Sequence, residues 1–140
     1  MSLARPEFRY RKLQAEERHE LLEGVRRKLE GVAEILFAYA HGSFIEKNSV
    51  RDLDVATWIK DPSQAFHYTV DFSARLEVEI GIPVDVQVLN EAPLPFRHQV
   101  FTSGRLLFSR DEALRVRLVD EATRQYLDLE RLTEIASRAV

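Results

Sequence analysis

Two aspartates separated by one residue are the part of the sequence best suited to chemistry. Asp52 and Asp54 alternate with Leu53 and Val55. Because side chains on a β-strand point to opposite faces with a period of two, both carboxylates are expected on one face and both apolar side chains in the core. Two carboxylates this close repel each other, and this repulsion either raises the pKa of one of them or is relieved by a hard divalent cation such as Mg²⁺. Alone, such a pair favours a solvated strand edge, but the Gly42-Ser43 turn upstream and a third matching carboxylate, Asp85, favour a metal site.

A glycine–serine pair upstream of the aspartates predicts a phosphate-binding turn. Gly42 and Ser43 follow the apolar segment 35–40, which is typical of a buried strand that ends at a turn. If a short helix begins at this turn, its free N–H groups and the positive end of its dipole favour phosphate. Lys47 and Arg51 could also contact a triphosphate, although surface cations are usually only solvated.

The motif resembles a known superfamily of enzymes. Gly42-Ser43, a spacer and then Asp52-x-Asp54 are similar to the signature of the nucleotidyltransferase superfamily that includes DNA polymerase β. In that superfamily a third carboxylate lies on a later strand, and Asp85, within Val-Asp-Val-Gln-Val, has the matching alternation. The likeness is strongest to the minimal nucleotidyltransferases, which are small stand-alone prokaryotic proteins, and it continues through segments 84–91 and 104–112.

The resemblance implies a function, a fold and a set of site residues. It implies transfer of AMP from ATP to a hydroxyl, and a polymerase β-like fold. Similar minimal nucleotidyltransferases are often partners of HEPN-domain toxins and act as antitoxins by adding AMP to a toxin tyrosine. The implied catalytic and metal-binding residues are Asp52, Asp54 and Asp85, which would hold two Mg²⁺ ions, and the implied nucleotide-binding residues are Gly42, Ser43, Lys47 and Arg51.

Two other functions remain open on the sequence alone. One is a non-catalytic antitoxin or binding module that keeps the fold and acts through its terminal helix. The other is a small-molecule nucleotidyltransferase of the kind that adenylylates aminoglycosides. Such enzymes usually add a second substrate-binding domain, for which a chain of 140 residues has little room.

The segment between the Gly-Ser pair and the two aspartates departs from the family pattern. The spacer 44–51 is shorter than in many relatives and lacks their Arg/Lys-Gly element.

Composition narrows the class of protein. With 45% hydrophobic residues, 31% charged residues and a net charge of −3, the chain is typical of one globular domain, which we place at residues 1–140. The mild acidity argues against broad nucleic-acid binding, which needs a basic surface. The chain has no cysteine, which excludes thiolate metal sites and fits a reducing compartment. We see neither a signal peptide nor a membrane helix, so we expect a cytoplasmic protein.

Hydrophobic periodicity predicts alternating helices and strands. The expected fold class is α/β or α+β, with a small mixed sheet, helices packed mainly on one face and a long C-terminal helix. We divide the chain into an N-terminal helical segment (1–31), a catalytic sheet with helices (32–109) and a C-terminal helix (110–140). That last helix is longer than a domain of this size easily covers, so it could bind a partner or a second copy. The predicted helices are 12–29, 64–80, 94–103 and 111–139, and the predicted strands are 32–40, 53–59, 83–89 and 105–108.

Overall fold

A computed structural model describes residues 15–42 and 52–139, and within these ranges four strands form one mixed sheet. In the order in which they lie side by side, the strands are β3, β2, β1 and β4. β1 pairs antiparallel with both β2 and β4, whereas β2 and β3 run parallel. The strand bounds are β1 Ile35–His41, β2 Leu53–Ile59, β3 Val84–Val88 and β4 Arg105–Ser109.

Four α-helices accompany the sheet in the described part of the chain. They are α1 Ala15–Glu30, α2 Ser73–Ile80, α3 Leu94–Ser103 and α4 Glu112–Arg138. The mixed sheet and the long final helix that the sequence predicted are confirmed, and the observed bounds of β2 and α3 match the predicted ones residue for residue.

Two predicted elements need correction. The segment 64–80 is not one helix: a 3₁₀ turn (Pro62–Gln64) and a π-helix (His67–Phe72) precede α2. At the junction, the Ser73 N–H bonds to the Tyr68 carbonyl five residues earlier, a spacing that apolar periodicity does not reveal. β1 begins at Ile35 rather than at residue 32, because the Ile35 N–H donates to the Val32 carbonyl and closes a turn there.

Buried side chains form a core on each face of the sheet. On one face, Ala38, Val55 and Val86 belong to the larger core, to which α1 and α2 also contribute. On the other face, Phe37 and Tyr39 pack in a smaller core with Val100 of α3. The larger core agrees with helices packed mainly on one face, and α3 adds a second layer opposite. This second face is the one from which Asp54 projects, because Asp54 alternates with the buried Leu53 and Val55.

α4 is attached to the domain at its beginning. The Asp111 carboxylate caps the helix by accepting the Leu114 N–H at 3.1 Å, and Arg115 donates to the Tyr39 hydroxyl at 2.6 Å. From residue 127 to residue 139 every side chain is exposed. The second half of α4 therefore extends away from the sheet. Across the described ranges, no helix combines the length and apolarity needed to cross a membrane.

Candidate active site

Asp54 and Asp85 lie side by side on the sheet. They are register partners in the parallel pair β2–β3, and His41 at the end of β1 is the antiparallel partner of Asp54. Strand alternation places the three side chains on the face that carries α3. Asp54 is half-buried, whereas Asp85 is exposed. One carboxylate is thus held within the fold while the other borders solvent.

The side-chain amide of Gln87 links the two carboxylates. Its Nε2 donates to Asp54 Oδ1 at 3.3 Å and to Asp85 Oδ2 at 3.0 Å. Its Oε1 lies 2.6 Å from His41 Nε2. The imidazole of His41 also meets the ring of Phe96 on α3 edge to face, with 5.6 Å between centroids. A continuous network therefore joins β1, β2 and β3 at this point.

Burial and charge disfavour ionisation of Asp54. Burial raises the pKa of Asp54; a positive charge on His41 opposes that rise, and the negative charges of Asp85 and Asp52 add to it. The Gln87 hydrogen bond favours the ionised form but does not cancel the rise. An added cation beside Asp54 would stabilise the ionised carboxylate.

Gly42 follows β1 and lies against Asp54. Its φ is +83°, in the left-handed region that favours glycine. A Cβ at this position would lie only 2.4 Å from Asp54 Oδ2, so the glycine leaves room for that oxygen. Gly42 and the Asp54 carboxylate are therefore close neighbours.

A comparison with family models identifies the class of protein. Residues 23–113 match the family described as polymerase beta, nucleotidyltransferase. The chain belongs to this nucleotidyltransferase family. Among curated protein sequences, no significant match to the chain was found.

Solved structures share the fold of this nucleotidyltransferase. A chain from a tri-AMPylated Shewanella oneidensis HEPN toxin in complex with an MNT antitoxin matches with 20% identity and a TM-score of 0.59, over 86% of this chain and 98% of that one. A chain from the toxin–antitoxin MntA–HepT matches with 17% identity and a TM-score of 0.56, over 91% and 100%. A toxin–antitoxin structure with AMP-PNP gives 20% identity, a TM-score of 0.58 and coverage of 91% and 100%. At these identities the likeness establishes the fold.

The structure brings together some of the predicted site residues of the nucleotidyltransferase. Asp54, Asp85 and Gly42 are neighbours, whereas Asp52 lies exposed before β2 and acts on Asp54 through its charge. Among residues 15–42 and 52–139, no three His, Cys, Asp or Glu side chains gather closely enough to hold a metal ion. The three-carboxylate site therefore stays a prediction. Ser43, Lys47 and Arg51 lie outside the described residues.

Sequence reasoning did not find Gln87. In the structure, His41 at the end of β1 is hydrogen-bonded to the side chain of Gln87. Strand alternation alone places residue 87 on the same face as Asp85, so a signal was present. It did not stand out because an amide is a weaker marker of chemistry than a carboxylate.

The oxygen donors of this nucleotidyltransferase fit a hard divalent cation. Asp54 and Asp85 offer carboxylate oxygens, which Mg²⁺ prefers. His41 Nε2 faces the Gln87 amide oxygen, so the nearby imidazole nitrogen already has a partner. The unfavourable environment of the Asp54 charge is one that a cation would relieve. The residues present therefore suit magnesium better than a metal that needs nitrogen or sulfur ligands.

Proposed function

We propose that this chain is a magnesium-dependent protein adenylyltransferase that moves AMP from ATP to a hydroxyl group, a tyrosine of a HEPN-type toxin, and so acts as an antitoxin. The observation that carries the proposal is the pairing of Asp54 with Asp85 beside the Gly42 turn, in a chain of the nucleotidyltransferase family. A relative of the same fold forms a complex with an AMPylated HEPN toxin.

The reaction is a displacement at the α-phosphorus of ATP. The acceptor oxygen forms a bond to this phosphorus, the bond to the oxygen that bridges the α- and β-phosphates breaks, and pyrophosphate leaves with that electron pair. The acceptor proton passes to solvent or to a neighbouring carboxylate. Bound magnesium supplies positive charge to the triphosphate and lowers the pKa of the attacking hydroxyl.

The residues of this chain position the reactants. Asp54 and Asp85 would hold the metal, with Asp52 completing a two-ion site. Gly42 lets the turn approach the Asp54 carboxylate, and in the proposed site this turn, with Ser43, Lys47 and Arg51, binds the triphosphate. Most of the rate enhancement would come from orientation and charge neutralisation, so losing a metal-binding carboxylate should cost several kcal/mol of transition-state stabilisation.

The proposal is tested by incubating the chain with ATP, Mg²⁺ and its proposed partner, a HEPN-type toxin. We expect the intact mass of that partner to rise by one or more adenylyl groups and its toxicity to fall. Asp71→Asn, a change at an exposed aspartate outside the site, serves as the control and should leave the mass gain intact. An unmodified partner that the wild-type chain nevertheless silences would overturn the catalytic reading.

The extended half of α4 supports a second candidate, an antitoxin that acts by binding alone. Four large apolar side chains there are between 41% and 65% exposed: Leu127, Leu129, Leu132 and Ile135. A helix segment whose side chains are all exposed gains little stability from tertiary packing, and its exposed apolar side chains are typical of a partner-binding surface. The two candidates differ in one result. An Asp54→Asn/Asp85→Asn double variant should still neutralise the partner if binding suffices, and should fail if transfer is required.

A further inference from the structure

Gln87 contacts both carboxylates of the candidate site, and the chemistry of its three partners fixes its orientation. Ionised carboxylates only accept hydrogen bonds, so the NH₂ group must face Asp54 and Asp85. The amide oxygen must then face His41, and His41 Nε2 must carry the hydrogen of the 2.6 Å bond. The reverse orientation would direct the amide oxygen at two negative groups. His41 therefore anchors the far end of an amide whose two N–H groups both point at the site.

These bonds occupy one oxygen of each carboxylate, and within residues 15–42 and 52–139 the other oxygen of each accepts no hydrogen bond. Gln87 takes Oδ1 of Asp54 and Oδ2 of Asp85. The remaining oxygen of Asp54, Oδ2, is the one that faces the Gly42 turn, where a Cβ would come within 2.4 Å of it. The amide thus turns the Asp54 carboxylate so that its second oxygen points at the turn proposed to bind phosphate.

Hydrogen bonds other than those of the Gln87 side chain also hold β3 in place. The buried Ser73 hydroxyl donates to the Val84 carbonyl at 2.9 Å and accepts from the Val86 N–H at 3.0 Å. The backbone carbonyl of Gln87 accepts from the Thr57 hydroxyl at 2.9 Å, a bond that any residue at position 87 could keep. The Gln87 side chain is thus available for a role in the site.

We propose that Gln87 is a positioning residue, anchored by His41, that presets the Asp54 and Asp85 carboxylates for a divalent cation. It fixes one oxygen of each and presents the other to the metal. Hydrogen bonds of this kind to ligating groups typically contribute a factor of about 10–100 in metal affinity. The inference deepens the proposed function and rests on it only for the presence of a metal at these two residues.

The test measures metal affinity on the full chain without any partner. Mn²⁺ is titrated as a stand-in for Mg²⁺, and the free ion is counted by its electron paramagnetic resonance signal. Gln87→Met keeps the length of the side chain and removes the amide, and we expect it to weaken Mn²⁺ binding about tenfold or more. Gln99→Met makes the same chemical change at an exposed position on α3 and should bind as wild type does. Thermal unfolding of both variants checks that the fold is kept.

A double-mutant cycle tests the anchor. His41→Phe keeps an aromatic ring against Phe96 but cannot hold the amide oxygen. If His41 acts through Gln87, the His41→Phe/Gln87→Met variant should bind Mn²⁺ no more weakly than Gln87→Met alone. Additive losses would show that His41 acts on the metal independently and would overturn the anchoring part of the inference.

A measurement on the wild-type chain removes any dependence on how the variants fold. In a nuclear magnetic resonance experiment with saturating Mg²⁺, the side-chain amide protons of Gln87 should exchange with water more slowly than those of Gln99. Equal exchange rates, or unchanged Mn²⁺ affinity in folded Gln87→Met, would overturn the inference while leaving AMP transfer untouched. If the wild type transfers no AMP but Gln87→Met binds Mn²⁺ more weakly than the wild type does, the proposed function is overturned and this inference stands.

Discussion

Replacing Gly42 with alanine should impair the site far more than it destabilises the fold. Gly42 has a φ of +83°, and a left-handed conformation costs an L-residue about 1–2 kcal/mol. The new Cβ would also lie 2.4 Å from Asp54 Oδ2, whereas ordinary contact begins near 3.4 Å, so that oxygen must retreat by the difference of 1.0 Å. The oxygen is the end of a side chain that can rotate, so the retreat itself costs little stability.

Gly81 provides a matched control for this variant. Its φ is +90°, yet a Cβ there would meet nothing within 4 Å. Gly81→Ala and Gly42→Ala should therefore lose similar stability, and each 1 kcal/mol lowers the melting temperature of a domain this size by about 4 °C. Only Gly42→Ala moves a carboxylate, and a misplacement of about 1 Å can cost roughly 100-fold in rate.

The assay combines thermal unfolding with the rate of AMP transfer to the partner. The expected result is two similarly destabilised proteins, of which Gly81→Ala transfers at the wild-type rate and Gly42→Ala about 100-fold more slowly. Equal transfer rates in the two variants would refute the argument that Gly42 is required by the Asp54 carboxylate.

Three further predictions concern Asp54, Glu112 and α4. Burial raises the pKa of Asp54 above its unfolded value, so the folded state favours the protonated carboxyl. The stability that Asp54 contributes is fully present below the unfolded pKa and is lost as pH rises through the folded pKa. In differential scanning fluorimetry without metal, Asp54→Asn should therefore melt higher than wild type at pH 7 but not near pH 3. The hydrogen bond from Arg115 lowers the pKa of Glu112 from 4.5 to about 2, so the stabilisation by Glu112 is present above the unfolded pKa and is lost as pH falls through the folded pKa. Urea unfolding should find Glu112→Gln less stable than wild type at pH 7, and the difference should shrink steadily as the pH falls toward about 2. Leu132→Arg should abolish partner binding in size-exclusion chromatography with little loss of stability. The control Val78→Arg changes a residue on α2 that is 81% exposed, and it should bind the partner normally. Equal binding by both variants would argue against α4 as the docking surface.

Local pattern was enough to predict most elements of the fold. The alternation of Asp52, Leu53, Asp54 and Val55 marked the beginning of β2, and the turn residues 61–63 marked its end. Gly104 marked the end of α3, because strand period and helix-ending residues act over a few residues. The π-helix His67–Phe72 was missed, since its apolar spacing is close to that of an α-helix.

The contacts within the candidate site depend on strand order, which the sequence does not state. The pairing of Asp54 with Asp85 requires β3 to lie beside β2 in parallel, and the His41–Gln87 bond requires β1 on the other side. Residue types identified the two carboxylates in advance. The part played by Gln87 became visible only when three separate strands were placed side by side.

The central claim, transfer of AMP, is tested most directly by following the label from two forms of ATP. The chain is incubated with Mg²⁺, its partner and ATP carrying the isotope on either the α- or the γ-phosphate. The account predicts that the α-label alone becomes attached to the partner and that Asp85→Asn abolishes the attachment. Label arriving from the γ-phosphate, or α-label transferred equally well by Asp85→Asn, would contradict it.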